Sequence, residues 1–231
     1  MKIINSASPR QEATNALAKI FKEYKDVPVL FLSSGGSALS LLEPSILSEN
    51  PQMTISVLDE HYVADESDRN FCKLMRTPFY HSAKVAGATF FDPYGGEVEE
   101  AGKRFATFLK DWQTKYPEGK IVVTAGMGPD GHTAGIVPFS EKTLFAKLFE
   151  TPEILAVGYK TGYGPFPERV TATFSLLNSA SDVILYATGK EKTEAIQIFL
   201  AEEKSLHEFP ALFLKTLPQA TFFTDSNEAR K

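Results

Sequence analysis

Short apolar runs alternate with amphipathic segments along most of the chain. Apolar residues dominate residues 27–32, 53–58 and 121–124, which is typical of strands buried on both faces of a sheet. In residues 13–24 and 98–112 they recur at spacings of three and four, the period of a helix with one buried face. This alternation predicts βαβ units. We therefore predict an α/β fold of the Rossmann-like, doubly wound type, with a mostly parallel open sheet and helices on both faces.

The same patterns predict further elements. The helix over 13–24 should begin with Ser8 as its N-cap, Pro9 at the first helical position and Gln11 closing a capping box. Residues 59–70, which are rich in acidic side chains, are predicted to form a loop. The other predicted elements are a helical segment at 38–47, short strands near 89–91, 154–159, 170–174, 183–187 and 221–224, and a helix over 190–201.

The composition is that of a globular protein, because 43% of the 231 residues are hydrophobic and 23% are charged. No internal repeat, low-complexity tract or long linker divides the sequence, so we expect a single α/β domain over residues 1–231. The net charge of −5 argues against nucleic acid or an anionic membrane as the main partner. A small anionic ligand remains compatible with it. We expect a monomer or a weak homodimer.

The cysteine content and the hydropathy of the chain indicate the cellular compartment. Cys72 is the only cysteine, so the chain can form neither an intramolecular disulfide nor a zinc site built on cysteines. The first residues contain no apolar run of signal-peptide length, and no segment approaches the roughly 20 apolar residues of a membrane span. We therefore expect a cytoplasmic protein.

Three polar or glycine-rich loops, 33–37, 59–70 and 125–133, follow predicted strands. In open α/β sheets, ligands bind outside the carboxyl ends of the strands. The loop Ser34-Gly35-Gly36-Ser37 suits a phosphate, because glycines let backbone N–H groups approach an anion and a helix N-terminus adds a positive partial charge. The alternative is a tight turn in which Ser37 only caps the next helix.

The loop Gly126-Met127-Gly128-Pro129-Asp130-Gly131 matches the G-x-G-x-x-G pattern of dinucleotide sites. The match is weak, because this loop does not open the first βα unit and no acidic residue clearly ends the next strand. His132, directly after the loop, is the stronger candidate. A histidine side chain ordinarily titrates at about pH 6.5, so it can accept and then donate a proton near neutrality. Asp130 could orient its ring, and the amides of residues 128–131 could face a ligand. The alternative is a histidine that only hydrogen-bonds within its loop.

Charged residues near the ends of other predicted strands and helices are further candidates for ligand binding. The loop at 59–70 contains potential metal ligands, but their spacing matches neither a zinc nor a calcium site, so a solvated acidic loop is the alternative. Arg169 and Lys192 could clamp a phosphate. Most arginines and lysines, however, are simply exposed.

In their order and spacing, these segments resemble the 6-phosphogluconolactonase family, which shares a superfamily with glucosamine-6-phosphate deaminase. The run from Gly126 to Ala134 is the most specific part of the resemblance. The resemblance extends over nearly the whole chain. It is carried by motifs at 34–37, 59–60, 69–70, 126–134 and 169–171, and by Gly189 with Lys192. The resemblance implies hydrolysis of a phosphorylated sugar δ-lactone in the pentose phosphate pathway, without a metal or an organic cofactor.

The resemblance also implies roles for single residues. His132 matches the family's catalytic histidine, and Asp59 matches the superfamily's active-site aspartate, a proton carrier in the deaminase. With Asp130 they form the predicted catalytic set. The predicted substrate- and phosphate-binding residues are Ser34, Gly35, Gly36, Ser37, His61, Asn70, Gly128, Arg169 and Lys192; no metal ligand is predicted.

Three positions bear on the choice of activity. The deaminase carries a glutamate five residues after this histidine, whereas this chain has Val137, which disfavours deamination. Lactonases usually carry an arginine where this chain has His61 and a serine where it has Gly135. The arginine's absence could weaken the activity or alter the substrate. The alternatives to a lactonase are therefore a deaminase or isomerase, and a sugar-phosphate binding protein without catalysis.

Overall fold

A computed structural model describes residues 1–47, 52–162 and 164–226, over which ten strands form two sheets. The strands are β1 (Lys2–Asn5), β2 (Val29–Ser33), β3 (Met53–Val57), β4 (Asp59–His61), β5 (Thr89–Phe90), β6 (Lys120–Ala125), β7 (Ala156–Lys160), β8 (Glu168–Ala172), β9 (Asp182–Tyr186) and β10 (Ala220–Thr224). The α-helices are α1 (Pro9–Glu23), α2 (Asn70–Met75), α3 (Pro78–Val85), α4 (Val98–Lys115), α5 (Lys142–Phe149), α6 (Phe174–Ser179) and α7 (Thr193–Ala201). Short 3-10 helices cover Gly36–Leu41, Pro44–Ile46, Lys190–Lys192 and Pro210–Thr216. Among these helices, none is both long and apolar enough to cross a membrane.

The larger sheet is parallel throughout, in the order β1-β10-β9-β6-β2-β3-β5. Strand β2 shows why its sequence is continuously apolar. Val29 and Phe31 pack into one core with helix α1, and Leu30 and Leu32 pack into the other core with helix α4. Because successive side chains of a strand point to opposite faces, a strand covered on both faces needs an apolar residue at every position. The prediction of a mostly parallel sheet with helices on both faces is confirmed.

A smaller antiparallel sheet, in the order β4-β8-β7, lies against helix α4 and was not predicted. The prediction of a loop over 59–70 is wrong at its start, because Asp59–His61 forms strand β4 and pairs with β8. Helix and sheet approach closely: a Cβ atom on Gly102 of α4 would lie 1.8 Å from the backbone nitrogen of Gly158 in β7. The absence of a side chain at this contact lets the two elements pack.

Two local predictions about helices hold only in part. The segment predicted as helical over 38–47 is helical but not continuous: it consists of two short 3-10 helices, because Pro44 keeps the preceding residue in an extended conformation. Helix α1 begins at Pro9 with Ser8 as its N-cap, as predicted, but no capping box forms. The Ser8 side chain makes no capping hydrogen bond. Gln11 Nε2 instead donates to Asn15 Oδ1 at 3.0 Å.

Candidate active site

The carboxyl ends of β2, β3 and β6 meet at one edge of the larger sheet, where these strands are neighbours. The residues that follow them open onto a cleft of about 410 Å³. The smaller sheet contributes β4 and the start of β8 to the same cleft. Every predicted site residue lines it: Ser34, Gly35, Gly36, Ser37, Asp59, His61, Asn70, Gly128, Asp130, His132, Arg169 and Lys192.

His132 and Asp130 form a closely bonded pair at this cleft. His132 Nδ1 lies 2.6 Å from Asp130 Oδ1, which also accepts the backbone N–H of His132 at 3.1 Å. Burial raises the pKa of the Asp130 carboxyl, but its hydrogen bonds and charge interaction with His132 outweigh this and lower the pKa. An ionised Asp130 can only accept, so Nδ1 carries the proton and donates it. Nε2 then keeps its lone pair and is the nitrogen that can act as a base.

The loop that carries this pair is fixed from several sides. Thr133 Oγ1 donates to Gly126 O at 2.7 Å and Tyr159 OH donates to Gly135 O at 2.6 Å, while Thr171 Oγ1 donates to Ala134 O. The last two donors belong to β7 and β8, so the smaller sheet holds the loop against the larger one. Such support restrains the position of His132.

Two of the loop amides do not act as predicted. Gly128 N donates to His132 O at 2.9 Å, and Gly131 N donates to Gly128 O at 3.0 Å. The expectation that the amides of 128–131 face a ligand is therefore wrong for both glycines. The dinucleotide alternative also fails here, because no helix follows Gly131 until α5 begins at Lys142. A G-x-G-x-x-G site requires a helix N-terminus at that point.

The turn at 34–37 forms a second polar end of the cleft. Lys192 Nζ donates to Ser37 Oγ at 3.2 Å, and burial lowers the pKa of Lys192 against the opposing effect of Glu191. Ser34 N is already bonded, to Thr124 O at 3.1 Å. The helix after the turn is a six-residue 3-10 helix. Recognition of an anion here would thus depend on Lys192, Ser37 and the amides after Ser34.

Asp59, Asn70 and Arg169 form a buried polar group in the wall of the cleft. Arg169 Nη1 lies 3.6 Å from Asp59 Oδ2, and Asn70 Nδ2 donates to Asp59 O at 3.0 Å. These residues are only 2–7% exposed. Within the described residues, Asn70 Oδ1 and Arg169 Nε are nevertheless without hydrogen-bond partners. Buried polar atoms are rarely left unpaired, so these two atoms mark this wall as a place for a polar ligand.

Two residues at this wall, Phe166 and Lys73, were not predicted from the sequence. Phe166 stacks on the imidazole of His61, with ring centroids 3.8 Å apart and planes 14° apart. Lys73 also lines the cleft. It lies three residues after Asn70 in helix α2 and therefore on the same helical face, a spacing that could have revealed it. No sequence signal distinguished Phe166, because its position depends on the loop before β8.

The metal-site alternative for residues 59–70 has no support from the geometry. Glu60 is fully buried and accepts the backbone N–H groups of Asn70 and, at 2.9 Å, of Phe71. It thus caps the start of helix α2 outside the cleft. Asp65 Oδ1 accepts the N–H of Ser67 at 2.8 Å. Across the described ranges, no three His, Cys, Asp or Glu side chains are grouped to hold a metal ion.

Glu60 should make the stability of the protein depend on pH. Burial raises its pKa to about 7, although hydrogen bonds from Phe71 and Asn70 and the charge of Arg69 act in the opposite direction. A carboxyl whose pKa is higher in the folded state stabilises the fold fully below its ordinary pKa, and this stabilisation is lost as the pH rises through 7. The expected loss is on the order of 3 kcal/mol.

Urea unfolding of the wild type and Glu60→Gln between pH 5 and 8 measures this dependence. The free energy of unfolding of the wild type should fall with rising pH relative to that of Glu60→Gln, which has no titrating group at this position. Two parallel curves would show that Glu60 keeps an ordinary pKa in the folded protein.

This chain is similar to known proteins both in sequence and in fold. A sequence model of the family described as "Glucosamine-6-phosphate isomerases/6-phosphogluconolactonase" matches residues 8–222. The "Probable 6-phosphogluconolactonase" of Drosophila melanogaster is 27% identical over 216 residues, which cover 86% of this chain and 79% of the relative.

Two solved structures share the fold. The 6-phosphogluconolactonase from Trypanosoma brucei has a TM-score of 0.72 and 22% identity, covering 99% of this chain and 97% of that one. A monomeric glucosamine-6-phosphate deaminase has a TM-score of 0.67 and 21% identity, covering 100% and 99%.

Proposed function

Because the chain belongs to the glucosamine-6-phosphate isomerase/6-phosphogluconolactonase family, we propose that it hydrolyses 6-phospho-D-glucono-1,5-lactone to 6-phosphogluconate in the pentose phosphate pathway. The observation that carries the proposal is the His132–Asp130 pair, which leaves Nε2 of His132 as a base at the cleft. Val137, buried and lining the cleft, provides no carboxylate where the deaminase pattern has one. Val137 therefore favours the lactonase over the deaminase.

In the proposed reaction, His132 Nε2 takes a proton from water while the water oxygen bonds to C1 of the lactone. The carbonyl electron pair moves onto its oxygen and gives a tetrahedral oxyanion. When the carbonyl forms again, the bond between C1 and the ring oxygen breaks, and His132 returns the proton to that ring oxygen. Asp130 orients the imidazole and stabilises its protonated form between the two steps.

Cationic side chains complete the site. Because the N–H groups of Gly128 and Gly131 bond within their own loop, neither of them stabilises the oxyanion in the proposed reaction. The phosphate of the substrate binds at Ser37 and Lys192, with Arg169 contributing from β8. Binding of this remote group positions C1 for attack, so part of the binding energy is used to orient the reacting atoms.

Removing Lys192 should weaken binding more than it slows the chemistry. Lys192→Ala deletes a charged hydrogen-bond donor, so KM for the phosphorylated lactone should rise about tenfold or more. Lys190→Ala is the matched control, because Lys190 lies in the same 3-10 helix but is exposed and outside the cleft. Steady-state kinetics of both variants provide the comparison. Equal KM values for the two variants would remove Lys192 from the phosphate site.

A comparison of substrates tests the proposed function itself. Purified protein should accelerate acid release from freshly prepared 6-phosphoglucono-δ-lactone above the spontaneous rate, and it should release no ammonia from glucosamine 6-phosphate. Ammonia release would assign the chain to the deaminase branch. Thermal stabilisation by 6-phosphogluconate without any turnover would identify a binding protein. A cytoplasmic location and the absence of a cofactor remain predictions.

A further inference from the structure

His61 does not supply the positive charge that an arginine would bring to this position. Its Nδ1 lies 2.9 Å from Asp68 O, and its ring face is covered by Phe166. Burial is the main reason why the pKa of His61 is lowered. Histidine at this site is therefore a neutral, packed side chain near pH 7. A lactonase that relies on a cation here must obtain it from another residue.

Lys73 brings a positive charge to the same place from helix α2. Its Nζ donates to Asp68 O at 2.9 Å, and this is the carbonyl oxygen that His61 Nδ1 also contacts. Since Lys73 Nζ and His61 Nδ1 each lie 2.9 Å from this oxygen, the distance between the two nitrogens is at most twice 2.9 Å. An arginine at position 61 would extend beyond the end of the imidazole and carry its charge into this region. Lys73 is also one of the residues that line the cleft.

The charge of Lys73 is available to a ligand. In the part of the chain that the structure describes, Lys73 forms no ion pair with a carboxylate. An ammonium has three donors, and Asp68 O accepts only one of them. Lys73 Nζ and Arg169 Cζ lie 6.0 Å and 5.8 Å from the centroid of the Phe166 ring. An aromatic ring attracts cations at such distances, so Phe166 favours positive charge at this wall.

We propose that Lys73 replaces the arginine expected at position 61, so that Lys73 Nζ binds an anionic oxygen of the sugar phosphate. His61 and Phe166 form the stacked platform beside it. The cation has thus moved from strand β4 to helix α2 while serving the same cleft. The identity of the ligand rests on the proposed lactonase function, but the binding role of Lys73 does not require turnover.

Binding of 6-phosphogluconate, measured by titration calorimetry, tests this role. Lys73→Met removes the charge and keeps an unbranched side chain that is one atom shorter, and its Kd should rise about tenfold or more. Lys73→Arg restores the charge and should bind within about threefold of the wild type. Arg76→Met is the matched control, because Arg76 is an exposed cation at the end of the same helix. It should bind as the wild type does.

The outcomes separate this proposal from the proposed function. Wild-type affinity in Lys73→Met, equally weak binding in Lys73→Met and Lys73→Arg, or no binding by the wild type would each overturn it. Because calorimetry detects the complex without turnover, a protein that fails to hydrolyse the lactone can still show the Lys73 effect. In that case the proposed activity fails and the binding role stands.

Discussion

Replacing His132 with alanine should lower kcat for the phosphorylated lactone by about 10²- to 10⁴-fold, the usual contribution of a general acid–base group. The variant loses both the base that activates water and the acid that protonates the ring oxygen. Binding should change little, because the proposed phosphate contacts lie at the turn that ends in Ser37 and at Lys192. Stopped-flow measurement of acid release gives kcat, and calorimetry with 6-phosphogluconate gives Kd.

His81→Ala is the control for this prediction, because His81 is exposed on helix α3 and lies outside the cleft. It should retain wild-type kcat. An unchanged kcat in His132→Ala would show that another group activates the water. A rise in Kd with no change in kcat would make His132 a binding residue instead of a base.

Gly128→Ala should reduce kcat nearly as much, although glycine has no functional side chain. A Cβ atom at this position would lie 2.2 Å from both Nδ1 and Cε1 of His132 and 2.7 Å from Asp130 Oδ1. The imidazole must therefore move away from its carboxylate partner. A displacement of about 1 Å in a catalytic group can cost about 10²-fold in rate, and we expect a loss of at least this size.

Gly126→Ala provides the matched comparison in the same loop. Its added methyl group would meet no heavy atom closer than Ser34 Oγ at 3.9 Å. We expect a much smaller loss of kcat than for Gly128→Ala, measured in the same stopped-flow assay. If both variants are equally active, the close contact between Gly128 and His132 does not exist in solution.

The parts of the fold that follow from local patterns were predictable from the sequence. The continuous apolar residues of β2 and β6 indicated strands covered on both faces, and both lie inside the larger sheet. Because parallel strands end at a common edge, the loops after them were expected to converge, and residues 34–37, residues 126–130 and His132 indeed line one cleft. The roles of these residues in catalysis, and the single domain over 1–231, remain predictions.

Features that depend on long-range pairing were not predictable. Strand β4 consists of Asp59, Glu60 and His61, which show no apolar alternation, and only the pairing with β8 makes it a strand. The places of Lys73 and Phe166 in the cleft depend on this smaller sheet and on the start of helix α2. The N–H groups of Gly128 and Gly131 form hydrogen bonds within their own loop. These bonds likewise depend on the folded conformation of the loop, which its sequence pattern does not reveal.

The most direct test of this mechanism compares kcat/KM of the wild type for 6-phosphoglucono-δ-lactone and for the same lactone without its phosphate. In the proposed mechanism, one end of the cleft binds the phosphate and thereby positions the lactone carbonyl beside His132. We expect clear catalysis of the phosphorylated lactone, with kcat/KM higher by about 10²-fold or more than for the phosphate-free lactone. Equal values for the two lactones, or no acceleration of either by folded protein, would contradict it.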